Sequence, residues 1–214
     1  MRHDGIIFDF NGTLLDDVEL CINAINTLLA RYGKKTIASP EEYRQVFGFP
    51  VIEYYARVGL APENFDQYAV EWVAEYDRGE PDTKLFDGAA ELLDLCRERG
   101  YSVYLLSATE HGMLMRQLAR LAIADKFDEI IGQETIKAHG KLDSALEWSK
   151  KVKNENLLFI GDSIHDAEVA RAIGADCILL ACGHEPREVL MQTGCPVLED
   201  VRTLLAQFKA GKIE

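Results

Sequence analysis

The chain predicts an α/β fold, a doubly wound parallel sheet with an all-helical segment inserted after its first strand. Two similar loops, far apart in sequence, carry that prediction. Gly5-Ile6-Ile7-Phe8-Asp9-Phe10-Asn11-Gly12-Thr13 is an apolar run that ends in an acid and a glycine turn. Leu157-Leu158-Phe159-Ile160-Gly161-Asp162-Ser163-Ile164-His165-Asp166 repeats the design. Short continuous apolar runs bounded by turn signals read as strands buried on both faces. Ligands of open α/β sheets bind beyond the carboxyl ends of such strands. Both runs bring acids to that rim, which implies a divalent-metal and phosphate site.

The remaining elements follow in order. Cys21, Ala24, Ile25, Leu28, Leu29 and Tyr32 fall at helical spacing, and Gly33 supplies the stop. Ser39-Pro40-Glu41-Glu42 reads as a helix start, with Ser39 capping, Pro40 in the first turn and Glu42 closing a capping box. Phe65, Tyr68, Ala69, Trp72, Val73 and Tyr76 form a third stripe, read as the core of the insert. Asp87 is expected to cap a helix with the apolar face Ala89, Leu92, Leu93 and Cys96, ending at Gly100. A strand at residues 101–106, a helix to about Leu121, a weaker strand at 129–131 and a helix over about 141–151 come next. Strand 157–160, helix 165–173 and strand 177–180 complete an alternation that means crossover units.

Composition excludes several classes. With 48% hydrophobic and 28% charged residues, the chain is an ordinary globular sequence of 214 residues, enough for a core and a small appendage. No apolar stretch reaches membrane-spanning length, and Met1-Arg2-His3-Asp4 leads directly into a strand, so the expected location is cytoplasmic. The five cysteines lack C-x-x-C spacing and read as buried thiols, with neither a disulfide framework nor a zinc site. A net charge of −13 argues against a nucleic-acid partner, while a metal ion and a lysine still permit a local phosphate pocket.

Suitable groups come from four loops at strand ends: Asp9 and Asn11, then Ser107, then Lys141 in His139-Gly140-Lys141, then Asp162 and Asp166. In this pattern the chain resembles the haloacid dehalogenase superfamily of phosphohydrolases, in its phosphoglycolate phosphatase-like branch. The family's D-x-D-G-T is matched with one change as Asp9-Phe10-Asn11-Gly12-Thr13, and its G-D-x-x-x-D as Gly161 to Asp166. Ser107 matches the Ser/Thr after the second strand, and Lys141 the family's lysine, with Lys137 as fallback. The resemblance implies a Rossmann-like core from 1–15 and 83–214 with a helical cap from 16–82. It also implies Mg2+-dependent hydrolysis of a small phosphorylated metabolite, with Asp9 forming an aspartyl-phosphate. Magnesium would bind Asp9, the Asn11 carbonyl and Asp162, with Asp166 supporting it directly or through water. Ser107 and the amides near Gly12 and Ala108 would hold phosphate oxygens, and Lys141 would pair with Asp9.

Two positions depart from the family pattern. Asn11 replaces the acid/base aspartate, and an amide can neither protonate a leaving oxygen nor activate water. Such catalysis is typically worth ~10²–10⁴-fold, so slow turnover or a good leaving group is expected. An acid from the cap, or a binding protein without turnover, are the other readings. Ala108 stands where an asparagine often follows the motif serine. A dehalogenase leaves the Asp162/Asp166 pair unexplained, and a phosphonate hydrolase needs a cap lysine, for which Lys34 and Lys35 are the candidates. A sugar phosphomutase depends on the missing aspartate even more. His165, His184, Arg44 and Arg57 read as ordinary loop or surface residues, and Gly48-Phe49-Pro50 as a turn that either faces the site or merely joins helices.

Overall fold

A computed structural model describes residues 3–135, 141–152 and 156–213. Strands β1 (Gly5–Phe8) and β2 (Leu15–Asp16) precede helices α1 (Val18–Arg31), α2 (Pro40–Val46), α3 (Val51–Arg57) and α4 (Phe65–Gly79). From β3 (Lys84–Leu85) onward strands and helices alternate: α5 (Ala89–Glu98), β4 (Ser102–Glu110), α6 (His111–Arg120), β5 (Glu129–Gln133) and α7 (Leu142–Ser149). β6 (Leu157–Gly161), α8 (Ile164–Ile173), β7 (Asp176–Leu180), α9 (Arg187–Leu190), β8 (Val197–Leu198) and α10 (Val201–Lys209) follow.

Among the described residues six strands form a sheet in the order β5-β4-β1-β6-β7-β8, each neighbouring pair parallel. Side chains alternate between its faces as the two-residue period requires. Ile6, Phe8, Val103, Leu105, Leu158 and Ile160 join the cluster beneath α5 and α10. Ile7, Tyr104, Leu106, Leu157 and Phe159 join the one that contains Ala145, Trp148 and Ala170 from α7 and α8. The doubly wound α/β prediction therefore holds, and the continuous apolar runs are explained by burial on both sides. β1 lies between β4 and β6, so strand order reverses at its end, where a crevice opens.

The helices of the insert pack on one another around a separate cluster that includes Ile25, Leu28, Leu29, Tyr54, Tyr68 and Tyr76. The antiparallel pair β2–β3, with Leu15 opposite Leu85, closes the two chain crossings into it. Arg120 clasps the return crossing through Glu80 at 2.8 Å, the Thr83 carbonyl at 2.9 Å and the Thr83 hydroxyl at 2.7 Å.

Local details differ from expectation at three places. Gly88, at φ +88°, is the N-cap of α5, and Asp87 instead turns outward to Arg202 at 2.6 Å. A left-handed turn there favours glycine and directs the Asp87 carboxylate away from the helix. Ser39 does accept from the Glu42 amide at 3.2 Å, but the Glu42 carboxylate returns to Ala38 at 2.8 Å, one residue ahead of the cap. β4 runs past residue 106 to Glu110 through an irregularity in its pairing with β5, so Ser107 sits on a bulged strand end. Bulges of this kind re-aim side chains next to sites. The reading assigns nothing after Leu180, although Val201, Leu204, Leu205 and Phe208 give α10 a buried stripe.

Candidate active site

The strand ends converge on one salt-bridged centre. Asp9 leaves β1, and Lys141 is the N-cap of α7. The Lys141 ammonium lies 2.6 Å from Asp9 Oδ1 and 2.6 Å from Asp166 Oδ1, and donates to the Leu106 carbonyl at 3.1 Å. His165 accepts the Lys141 backbone amide at 3.0 Å and so fixes the segment that delivers the ammonium. Lys137, His139 and Gly140 lie outside the described residues.

Asp166 has a second task in the turn after β6. Its Oδ2 accepts from the amides of Asp162 at 3.0 Å and Ser163 at 2.9 Å, and from the Ser163 hydroxyl at 2.7 Å. That capping box starts α8 and aims Asp162 at the crevice. Asp162 accepts from Thr13 at 3.0 Å and from the His184 amide at 2.7 Å. Two glycines make room for it: a Cβ on Gly12 would come within 2.3 Å of Asp162 Oδ2, and one on Gly183 within 2.1 Å. Gly12 is also left-handed, at φ +71°.

Asn11 is locked into a buried polar network. Its Nδ2 donates to Asp17 Oδ2 at 2.8 Å and to the Tyr76 hydroxyl at 2.9 Å. Its Oδ1 accepts from Thr109 at 2.7 Å. Asp17 accepts further from Tyr76 at 2.9 Å and from the Gly12 amide at 3.0 Å, and pairs with His184 Nε2 at 3.2 Å. His184 Nδ1 meets the Tyr43 hydroxyl at 3.0 Å, so the network joins α1, α2 and α4 to the loop after β7. Arg44 tightens the same junction, donating to the carbonyls of Gly183 at 2.8 Å and Cys182 at 3.2 Å.

Burial and crowding set the charges. Burial, with the neighbouring Asp166 and Asp162, pushes Asp9 up to about 8 despite Lys141. Burial and Asp166 push Asp162 to about 6. Burial works against the Lys141 charge, but Asp166 and Asp9 outweigh it and raise its pKa. Burial likewise opposes the His184 charge, yet Asp17 and Asp162 lift it to about 9. Asp17 is held below the usual carboxylate range, because His184, Asn11 and Tyr76 overcome its burial.

Asp9, Asn11, Ser107, Ala108, Lys141 and Asp162 all line one cavity of about 160 Å³ between the ends of the central strands and the helical insert. Asp166 stands behind it, against Lys141. The Gly12 amide itself is shared between the Leu15 carbonyl and Asp17, both at 3.0 Å. The residue's part is steric, beside Asp162. Phe49 answers the open question about its turn, since it lines the cavity and packs on His165 with ring centroids 4.9 Å apart.

Sequence reasoning missed Asp17, Tyr76, Thr109 and the full setting of His184. Asp17 follows β2 directly, and His184 follows a strand end in Cys182-Gly183-His184. Those placements are the signal that was available.

Comparison with known proteins agrees with this geometry. A model of the haloacid dehalogenase-like hydrolases matches residues 6–180, and the chain belongs to that family. The chain is 26% identical over 212 residues to a phosphoglycolate phosphatase of Pseudomonas savastanoi, covering 94% of this chain and 78% of that protein. It is 26% identical over 203 residues to the tyrosine-protein kinase PtkA of Mycobacterium tuberculosis, covering 93% and 69%. A haloacid dehalogenase-like hydrolase of Streptococcus pneumoniae superposes with a TM-score of 0.82 at 21% identity, covering 96% of this chain and 98% of that one. Among the described residues no helix is long and apolar enough to cross a membrane.

Proposed function

We propose that the chain is a magnesium-dependent phosphatase that hydrolyses a small phosphomonoester through an aspartyl-phosphate on Asp9. The observation that carries this reading is the bridge of Lys141 between Asp9 and Asp166, beside Asp162 at the switch point of the sheet.

The donor set fits a hard divalent cation. Asp9, Asp162 and Asp166 offer oxygens within 4.8 Å of one another, and burial together with their mutual crowding raises Asp9 to about 8 and Asp162 to about 6, a setting that an added positive charge would relieve. Asp9 and Asp162, with the Asn11 carbonyl, would hold the ion. Both Asp166 oxygens have protein partners, which favours a supporting role for it. Bound magnesium would offset the charge of phosphate and carboxylate as they approach.

The chain's own residues supply the rest. Asp9 attacks phosphorus, the phosphorus–oxygen bond to the alcohol breaks, and water then releases phosphate and restores the carboxylate. Ser107, almost fully buried on its bulge, and Ala108 line the cavity, and the serine hydroxyl and the Ala108 amide would hold phosphate oxygens. Lys141 keeps Asp9 oriented and balances charge on the transferred group. Asn11 neither gives nor takes a proton. Residues 16–82 act as a cap over a core of 1–15 and 83–214, latched through Arg44 and Tyr43, and exclude water. The same reading makes the protein a cytoplasmic enzyme acting on a small phosphorylated metabolite.

The test is phosphate release from a panel of small phosphate esters and acetyl phosphate with magnesium, using Asp9→Asn as control. Turnover that the variant lacks supports the reading; equal rates in both proteins, or none with any substrate, defeats it.

A further inference from the structure

The cavity beside Asp9 is poorly matched to a substrate that carries a second anionic group besides its phosphate. Beyond the polar floor its walls are Phe47, Tyr54, Phe65, Trp72, Val73 and Met113. Trp72 stacks on Tyr76 with ring centroids 5.0 Å apart and planes 26° apart. Among the described residues the cations on the wall are Lys141 and His184, and both are committed, Lys141 to Asp9 and Asp166, His184 to Asp17. Glu110, also on the wall, caps α6 through the amides of Gly112 and Met113, both at 2.8 Å. The cap arginines are occupied elsewhere: Arg44 with the 182–183 carbonyls, Arg57 with those of Val46 at 2.7 Å and Phe47 at 3.1 Å. A substrate carboxylate entering here would lose its hydration and find no free positive partner. An apolar ring would lose nothing of the kind.

Asn11 supplies a second and independent observation. Its amide nitrogen is committed to Asp17 and Tyr76, and an amide has no proton to give to a departing alkoxide. A phenolic oxygen departs without that help, since a phenol has a pKa of about 10, against roughly 16 for water-like hydroxyls.

Resting on the phosphatase reading, the geometry points to phosphate monoesters of small phenols as the substrate class. In the reaction the bond between phosphorus and the aryl oxygen breaks. The aryloxide leaves with the electron pair and takes its proton from solvent. Asp9 holds the phosphoryl group until water removes it.

The experiment compares kcat/KM for phenyl phosphate, phosphoglycolate and phosphocholine, with acetyl phosphate as a small reference whose leaving group needs no acid. Phenyl phosphate is expected to exceed phosphoglycolate and phosphocholine by about a hundredfold or more. Trp72→Ala should lower the phenyl-to-acetyl ratio by about tenfold, from lost apolar contact, and Trp72→Phe should restore most of it. Phosphoglycolate or phosphocholine matching phenyl phosphate, or a ratio unmoved in Trp72→Ala, overturns the aromatic assignment while the phosphatase stands. Failure with every substrate, acetyl phosphate included, removes the phosphatase reading and this one with it.

Discussion

The side-chain amide of Asn11 donates to the buried carboxylate of Asp17 at 2.8 Å, at the position where the family pattern has an acid. An ionised aspartate has no hydrogen to give, so the two residues are chemically matched as donor and acceptor. Asn11→Asp alone would set two carboxylates against each other, and like charges that close cannot both ionise. The exchange Asn11→Asp/Asp17→Asn keeps the hydrogen bond and reverses its sense. We expect the single variant to lose thermal stability as pH rises from 6 to 9, and the exchanged pair to lose much less. The exchanged pair should also gain on alkyl phosphates, by up to ~10²–10⁴-fold. Melting scans across pH and phosphate-release assays on both variants read these outcomes. Equal melting of the two variants at every pH would show that the contact is incidental.

That contact also marks where the sequence stops being informative. The sheet was legible because burial on both faces leaves unbroken apolar runs, Asp9 and Asp162 because they follow such runs, and Lys141 only through its match to the family's lysine. Asp17 was not, since an acid after a strand and before a helix normally reads as a cap. In the structure its side chain makes no cap hydrogen bond to α1 and turns back to Gly12 and Asn11. His184 resembled a loop residue because its partners, Asp17 and Tyr43, are 167 and 141 positions away and on other elements. Gly12 read as part of a phosphate turn, while the space that its missing Cβ leaves for Asp162 needs the folded chain to be seen. Long-range polar partners leave no periodic trace.

Magnesium should stabilise the fold in a pH-dependent way. Asp9 and Asp162 have folded pKa values raised to about 8 and about 6, above the ordinary 3.8. Their protonated forms favour the fold fully below about 4, and that contribution is lost as pH rises through about 6 and about 8. Metal competes with those protons, so its stabilisation grows over the same window. At a hundredfold excess over its dissociation constant the gain is about 2.7 kcal/mol, or roughly 5–10 °C in Tm. Asp162→Asn should abolish the increment. A magnesium shift of the same size at pH 5 and pH 8 would contradict this assignment.

Lys141→Met should be severe for fold and activity together. The ammonium is 2% exposed and faces two carboxylates, so its loss leaves uncompensated buried charge. Breaking such a pair costs about 3–5 kcal/mol. Denaturant unfolding measures it, and low pH should recover part of the loss by protonating Asp9. A loss of stability that is the same at pH 5 and pH 8 would be inconsistent with unpaired carboxylates as the cause.

Arg44→Ala should loosen the insert over the cavity. A charged donor to backbone carbonyls is worth about 1.5–3 kcal/mol, so kcat/KM should fall roughly tenfold or more if closure precedes chemistry. Hydrogen exchange at residues 182–184 should quicken in parallel. Unchanged kinetics with faster exchange would separate the latch from turnover.

The claim that Asp9 carries the phosphoryl group is tested most directly by trapping it. Borohydride reduces an aspartyl-phosphate to homoserine, so protein quenched during turnover with magnesium and phenyl or acetyl phosphate should carry homoserine at position 9 in its peptide mass map. The conversion should require substrate and be absent without it. Sustained phosphate release with aspartate at position 9 unmodified under those conditions, or full turnover by Asp9→Asn, would contradict the account.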